Sequence, residues 1–113
     1  MRGDQIKGHL EVLLLAVVAH QPAHGYALIE ELRRRSGDTF DLPEGTVYPA
    51  LYRLERAGLL SSKWESPDGR RRRVYRLTKR GEAALQEQTR DWQTFARAMN
   101  RVLKGEPWPA PTM

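Results

Sequence analysis

The sequence predicts a mainly α fold with one small β-hairpin, arranged as a winged helix-turn-helix followed by a C-terminal helix. Three observations carry this. Three helical apolar patterns follow one another between Ile6 and Ala57, each closed by proline or glycine chemistry. Two short strand-like runs, about Leu60–Glu65 and Arg72–Leu77, are then joined by Ser66-Pro67-Asp68-Gly69, a strong turn sequence. From Thr78 to about Lys104 a helical pattern returns. A chain of 113 residues is the length of one domain and can bury a core without covalent staples.

The first helix runs from about Ile6 to His20 and is stopped by Pro22. Leu10, Leu13, Leu14, Val17 and Val18 form one stripe, while Val12, Leu15, Ala16 and Ala19 cover much of the remaining surface. A helix apolar nearly all round is buried nearly all round, which a domain this small struggles to provide alone. Part of this helix is therefore expected to meet a second subunit, through Leu10, Leu14 and Val17. Gly25 opens a second helix, Tyr26 to about Arg35, with His24 as a structural residue at its start and Ser36-Gly37-Asp38 at its end. The third lies between Leu42 and Ala57 and is closed by Gly58, where a left-handed residue is wanted. Pro49 removes one hydrogen bond inside it. Because Val47 already belongs to the apolar stripe, an early start near Pro43 is expected, with Pro49 on the exposed side.

Thr78 is the expected N-cap of the last helix, although the capping-box acid is missing at the third position, which is Gly81. Along that helix Leu85, Thr89, Trp92, Ala96, Met99 and Leu103 are spaced four, three, four, three, four. Such a narrow seam belongs to a helix packed on another helix, so this row is assigned to dimerisation. Three prolines in residues 105–113 predict an extended, mobile tail. The expected division is thus a winged helix-turn-helix over 1–80, a dimerisation helix over 81–104 and the Pro-rich tail.

On a helical wheel of ~100° per residue, Val47, Ala50, Leu51, Leu54 and Ala57 of the third helix point to the core. Gly45, Pro49, Tyr52, Arg53 and Arg56 cluster opposite, flanked by Tyr48 and Thr46. A solvated face would look similar, but here it is aromatic plus guanidinium, with Glu55 the only nearby acid. Arginine can bond two acceptors on a guanine edge, and tyrosine can reach phosphates or thymine methyls. Beyond the turn, Arg70, Arg71, Arg72, Arg73, Arg76, Lys79 and Arg80 place seven cations in eleven residues with no acid among them. Val74, Tyr75 and Leu77 frame that run as a half-buried strand would. A cationic hairpin beside an arginine-bearing helix makes a continuous anion-binding surface, and phosphate contacts of this kind give affinity while base contacts give sequence choice.

Other classes of function find little support. The chain has 19 Lys plus Arg against 14 Asp plus Glu, a net charge of +5, and no cysteine. Disulfides, thiolate metal sites and a thiol nucleophile are therefore excluded. The longest apolar run, Val12 to Ala19, is eight residues, far below the roughly 18 needed to span a bilayer. No secretory leader pattern is visible, and a cytoplasmic location is expected. His20 and His24 have the spacing of a helical metal pair, but Pro22 lies between them. No phosphate-binding loop, dinucleotide fingerprint or catalytic triad signature is present. Neither catalysis, metal nor cofactor is expected.

His24-Gly25-Tyr26, the run from Glu44-Gly45-Thr46-Val47-Tyr48-Pro49-Ala50-Leu51 to Leu60, Arg73-Val74-Tyr75-Arg76-Leu77-Thr78-Lys79-Arg80-Gly81 and Trp92 together resemble the PadR family of bacterial transcription regulators. The resemblance covers about residues 10 to 104. It implies a homodimer whose third helix enters the major groove of double-stranded DNA at a palindromic operator, while the hairpin touches the adjacent backbone. It also implies a repressor that leaves its operator when a small molecule binds, with one C-terminal helix for dimerisation in short members. Carried over by position, Thr46, Tyr48, Pro49, Tyr52, Arg53 and Arg56 become the reading-helix residues, and Arg70, Arg71, Arg72 and Arg73 the wing residues. Tyr52 stands where many members have histidine, so base preference does not transfer.

Some short members stack planar compounds on a tryptophan at the dimer interface. By that resemblance Trp92, with Thr89 and Ala96, is the candidate effector site for a planar aromatic or cationic compound. A seam tryptophan is otherwise a packing anchor. The rival class is an RNA-binding or protein-interaction winged-helix module without operator specificity. Four adjacent arginines argue against a protein partner, and the narrow major groove of A-form RNA does not admit a helix.

Overall fold

The computed structural model describes residues 8–105 and 107–109. Helix α1 (Leu10–His20) follows a turn at Gly8 and His9, so it begins later than the apolar pattern suggests; Ile6 and Lys7 lie outside the described residues. The Gln21 amide bonds to the Val17 carbonyl at 3.4 Å and closes the helix ahead of Pro22. Leu10, Leu14, Leu15, Val17 and Val18 are all buried. Each fully buried leucine contributes about 1.5–3 kcal/mol, which makes α1 the hub of the core. This corrects one expectation: Leu10, Leu14 and Val17 face their own protomer. Helices on one side, the sheet on another and the start of the last helix together cover the apolar stripe. Val12, Leu13 and Ala16 stay half-buried, and Ala19 is exposed.

Strand β1 (Ala23–His24) is an addition to the predicted hairpin. Two residues carry no periodicity to read; they are extended because they pair antiparallel with β3, Ala23 opposite Tyr75 and His24 opposite Val74. His24 then caps α2 (Gly25–Arg35), its Nδ1 accepting the Ala27 amide at 3.3 Å. Helix α3 (Glu44–Arg56) starts early, with Pro43 as the residue before it and Pro49 inside it on the solvent side. Val47, Ala50, Leu51 and Leu54 are buried as the wheel requires. Ala57 is instead exposed, because the chain leaves the helical path after Arg56 and Gly58 takes φ +79°.

Strands β2 (Leu60–Glu65) and β3 (Arg72–Leu77) pair antiparallel from Leu60 opposite Leu77 to Glu65 opposite Arg72, giving the sheet order β1-β3-β2. Helix α4 (Lys79–Leu103) then begins against the turn that ends α3. Thr78 Oγ1 accepts the Gly81 amide at 3.0 Å and donates to the Gly58 carbonyl at 2.7 Å, while the Thr78 amide bonds to the Leu59 carbonyl at 3.2 Å. Gly81 is buried, and a Cβ there would overlap the Leu59 carbonyl oxygen and lie 2.8 Å from Leu77 Cδ1. The missing capping-box acid has its reason here: only glycine fits. Ala84 and Leu85 pack against the core. Past Arg90 the helix continues with every residue exposed except half-buried Ala96. Of the Pro-rich end, Pro107, Trp108 and Pro109 are exposed without regular structure, and residues 106 and 110–113 lie outside the described residues.

Candidate nucleic-acid interface

Helix α3 presents Tyr48, Pro49, Tyr52, Arg53 and Arg56 to solvent, with Thr46 half-buried at one edge. Tyr52 and Arg56 sit one turn apart and act as a unit. Arg56 Nη1 donates to Tyr52 Oη at 3.1 Å, and the guanidinium carbon lies 5.7 Å from the ring centroid. Tyr48 is held differently. Its ring rests on Gly25 at the start of α2, where a Cβ would come 2.5 Å from Cε1 and 2.7 Å from the hydroxyl. Gly25 thus seats the reading-face tyrosine against the preceding helix, a role that the sequence signals only as a helix opening.

The wing is less uniform than its sequence. Gly69 takes φ +81° in the turn, and Asp68 Oδ1 accepts the Arg70 amide at 3.2 Å. Arg72 donates from Nη2 to Asp68 Oδ2 at 3.2 Å and is half-buried, its Nε buried with no hydrogen-bond partner among the described residues. Arg73 Nε donates to Ser62 Oγ at 2.7 Å, Ser62 Oγ donates to Glu55 Oε2 at 2.7 Å, and Arg73 Nη2 lies 3.5 Å from that carboxylate. Arg76 pairs with Glu65 across the hairpin. These pairs mark the electrostatics. The hydrogen bond from Arg72 holds the Asp68 carboxyl below its ordinary range, and that from Arg76 does the same for Glu65. Burial, with the Glu55 charge next, pushes the Tyr75 phenol up.

The acids absent from the arginine run are therefore supplied from Asp68 ahead of it, from β2 and from α3. Arg70 and Arg71 differ from their neighbours in having no carboxylate partner among the described residues. Arg71 instead lies over the Trp64 ring at 5.0 Å from its centroid. A cleft lined by Tyr52, Glu55, Arg56, Arg73 and Tyr75 joins the exposed face of α3 to this face of the hairpin. One continuous surface results, with hydrogen-bonding aromatics and guanidinium groups on α3 and unpaired cations at the hairpin tip.

The α4 row divides along its length. Leu85 and Thr89 are half-buried and Ala96 is half-buried, whereas Trp92, Met99 and Leu103 are exposed. Phe95 and Val102, outside the predicted seam, are exposed beside them. Trp92 meets His9 edge-on with centroids 5.0 Å apart and lies 5.7 Å from the Phe95 ring. Together they border a cleft of about 590 Å³, lined also by Gly8, Glu11, Val12, Gln88 and Asp91. Thr89 and Ala96 do not line it. His9, Glu11, Asp91 and Phe95 were not readable as site residues, because the start of α1 and the middle of α4 meet only in the folded chain.

Helix-turn-helix plus wing, with aromatics and cations on one side, defines a DNA-binding winged-helix protein. The model of the transcriptional regulator PadR-like family matches residues 14–87, and the chain belongs to that family. It is a DNA-binding transcriptional regulator. The Transcriptional regulator Rv3488 of Mycobacterium tuberculosis is 44% identical over 93 residues, covering 82% of this chain and 81% of that one. A PadR-like transcriptional regulator from Bacillus cereus superposes with a TM-score of 0.81 at 27% identity, over 91% of this chain and 99% of the other. A PadR family transcription regulator from Clostridium difficile gives a TM-score of 0.76 at 31% identity, over 85% and 99% of the two chains. No helix among the described residues is long and apolar enough to cross a membrane.

Proposed function

We propose that the protein is a cytoplasmic, homodimeric repressor that binds a palindromic operator and releases it on binding a small planar effector, without catalysis of its own. The observation that carries this reading is the exposed apolar row Trp92, Phe95, Met99, Val102 and Leu103 on a length of helix past the protomer's own core. A row of this kind wants a second helix, and a two-fold pair of α4 helices sets two α3 helices on half-sites about 34 Å apart. Residues 1–80 then form the DNA-binding unit, 81–104 the dimerisation helix and 105–113 the tail. On α3, Thr46, Tyr48, Pro49, Tyr52, Arg53 and Arg56 face the major groove.

Arg56 is the test of base reading. Arg56→Ala is expected to cost about 1–3 kcal/mol on the preferred duplex and to relax sequence preference. Equal losses on preferred and random duplexes, measured by fluorescence anisotropy, would make Arg56 a phosphate contact. Competition between duplex DNA and duplex RNA tests the rival RNA-binding reading.

The cleft at Trp92 supports the effector. His9, Trp92 and Phe95 offer aromatic faces, and Glu11 and Asp91 line the same space, which suits a planar cation. Such a ligand releases DNA only if it binds the released dimer better than the DNA-bound one. In a variant carrying Trp64→Phe and Trp108→Phe, planar aromatic cations are expected to quench Trp92, and DNA to weaken their binding by the factor by which they weaken DNA binding. Unchanged fluorescence and unchanged DNA affinity across such compounds, with Trp92→Ala unfolding the dimer, would leave Trp92 a packing anchor.

A further inference from the structure

Trp64, over which Arg71 lies, is itself 55% exposed at the next-to-last position of β2, beside the turn. It stands opposite Arg73 in the β2–β3 register, and Arg71, the residue just ahead of β3, reaches over the same ring. Arg71 and Arg73 hold their guanidinium carbons 5.0 and 5.7 Å from the ring centroid. The two cations are not equivalent. Arg73 is taken up by Ser62 and Glu55, which tie the hairpin to α3. Arg71 lies two residues farther toward the turn, and among the described residues the indole is the contact that holds it.

A carboxylate partner would cancel the charge it orients. An aromatic face orients a guanidinium while leaving its charge and its in-plane donors free. We propose that Trp64 is a positioning residue that holds Arg71 as a probe for a narrow minor groove, so that the wing reads DNA shape beside the half-site read by α3. Narrow, A·T-rich minor grooves concentrate negative potential and draw in arginine. The tie through Arg73, Ser62 and Glu55 fixes the distance between this probe and Arg56, so the preferred A·T step stands at a set offset from the bases read by α3. The inference rests on the wing being a DNA contact.

The test uses duplexes that the wild-type protein selects from a randomised pool, with their flanks then exchanged between A·T tracts and G·C steps while the central bases stay fixed. The wild-type protein is expected to prefer the A·T flank. Arg71→Ala should abolish that preference, and Arg71→Lys should fail to restore it although the charge is retained. Trp64→Ala should lower affinity for the A·T flank about two- to fivefold, the size carried by an exposed cation–π contact, with the central preference and the salt dependence kept. Trp64→Phe should restore most of the flank preference, and Trp64→Ala added to Arg71→Ala should cost nothing more. A wild-type protein indifferent to its flanks, or an Arg71→Ala or Trp64→Ala variant that keeps the preference, overturns the proposal while DNA binding stands. Failure to select any duplex overturns the reading of the wing itself.

Discussion

Gly81→Ala is expected to lower the thermal midpoint by about 8–16 °C, the net of an overpacking cost at the top of its usual range and the helix preference of alanine. Intrinsic helix preference acts the other way, since alanine favours a helix interior by about 1 kcal/mol over glycine. Close packing decides the sign. The added Cβ falls on the Leu59 carbonyl oxygen and 2.8 Å from Leu77 Cδ1, and that carbonyl is pinned by the Thr78 amide at 3.2 Å. Relief requires the turn after α3 to separate from the start of α4. Overpacking of this kind costs about 1–3 kcal/mol, occasionally more, and each kcal/mol moves the midpoint of a domain near this size by about 4–8 °C. Thermal denaturation followed by circular dichroism checks this. A midpoint equal to or above that of the unaltered protein would show that the seat is loose.

The second large effect concerns assembly. Phe95→Glu combined with Met99→Glu is expected to give a folded monomer whose affinity for a two-half-site duplex is at least about a hundredfold lower. Linked binding to two half-sites gains about 10²–10⁴ over single engagement, and carboxylates in an apolar helix seam remove the linkage. Both side chains are exposed within the protomer, so the core built around Leu14, Leu15, Leu28 and Leu51 is untouched. Sedimentation gives the oligomeric state and anisotropy the affinity. An unaltered protein that sediments as a folded monomer at micromolar concentration refutes the dimer.

The fold was legible because its signals are local. Pro22, Gly58 and the Ser66-Pro67-Asp68-Gly69 turn punctuate the chain, and Val47 with Ala50, Leu51 and Leu54 fixes the buried face of α3. Strand β1 was hidden because two residues become a strand only through a partner some fifty positions away. In sequence Gly25 signals only a helix opening and Gly81 only a missing capping-box acid, since what each accommodates, Tyr48 or the Leu59 carbonyl, is brought to it by tertiary packing. The same holds for charge. Four consecutive arginines look alike in sequence, and only strand register and the approach of α3 separate Arg72 and Arg73, which meet carboxylates, from Arg71, which meets an indole. In over-apolar α1 the stripe is plain in the sequence but the source of its cover is not, and that cover comes from its own chain.

The seat of α4 has a mechanical consequence. A helix of 25 residues is ~37 Å long at ~1.5 Å per residue, gripped at its start by Thr78 and Gly81 and held along its first half by Ala84, Leu85 and the Trp92–His9 contact. It is a lever with its fulcrum in the domain. A tilt of about 5° where the arm leaves the domain after Trp92 carries the tip, ~16 Å farther on at ~1.5 Å per residue, through about 1.4 Å. Because residue 81 carries no side chain, the base of the helix sits directly on the Leu59 carbonyl.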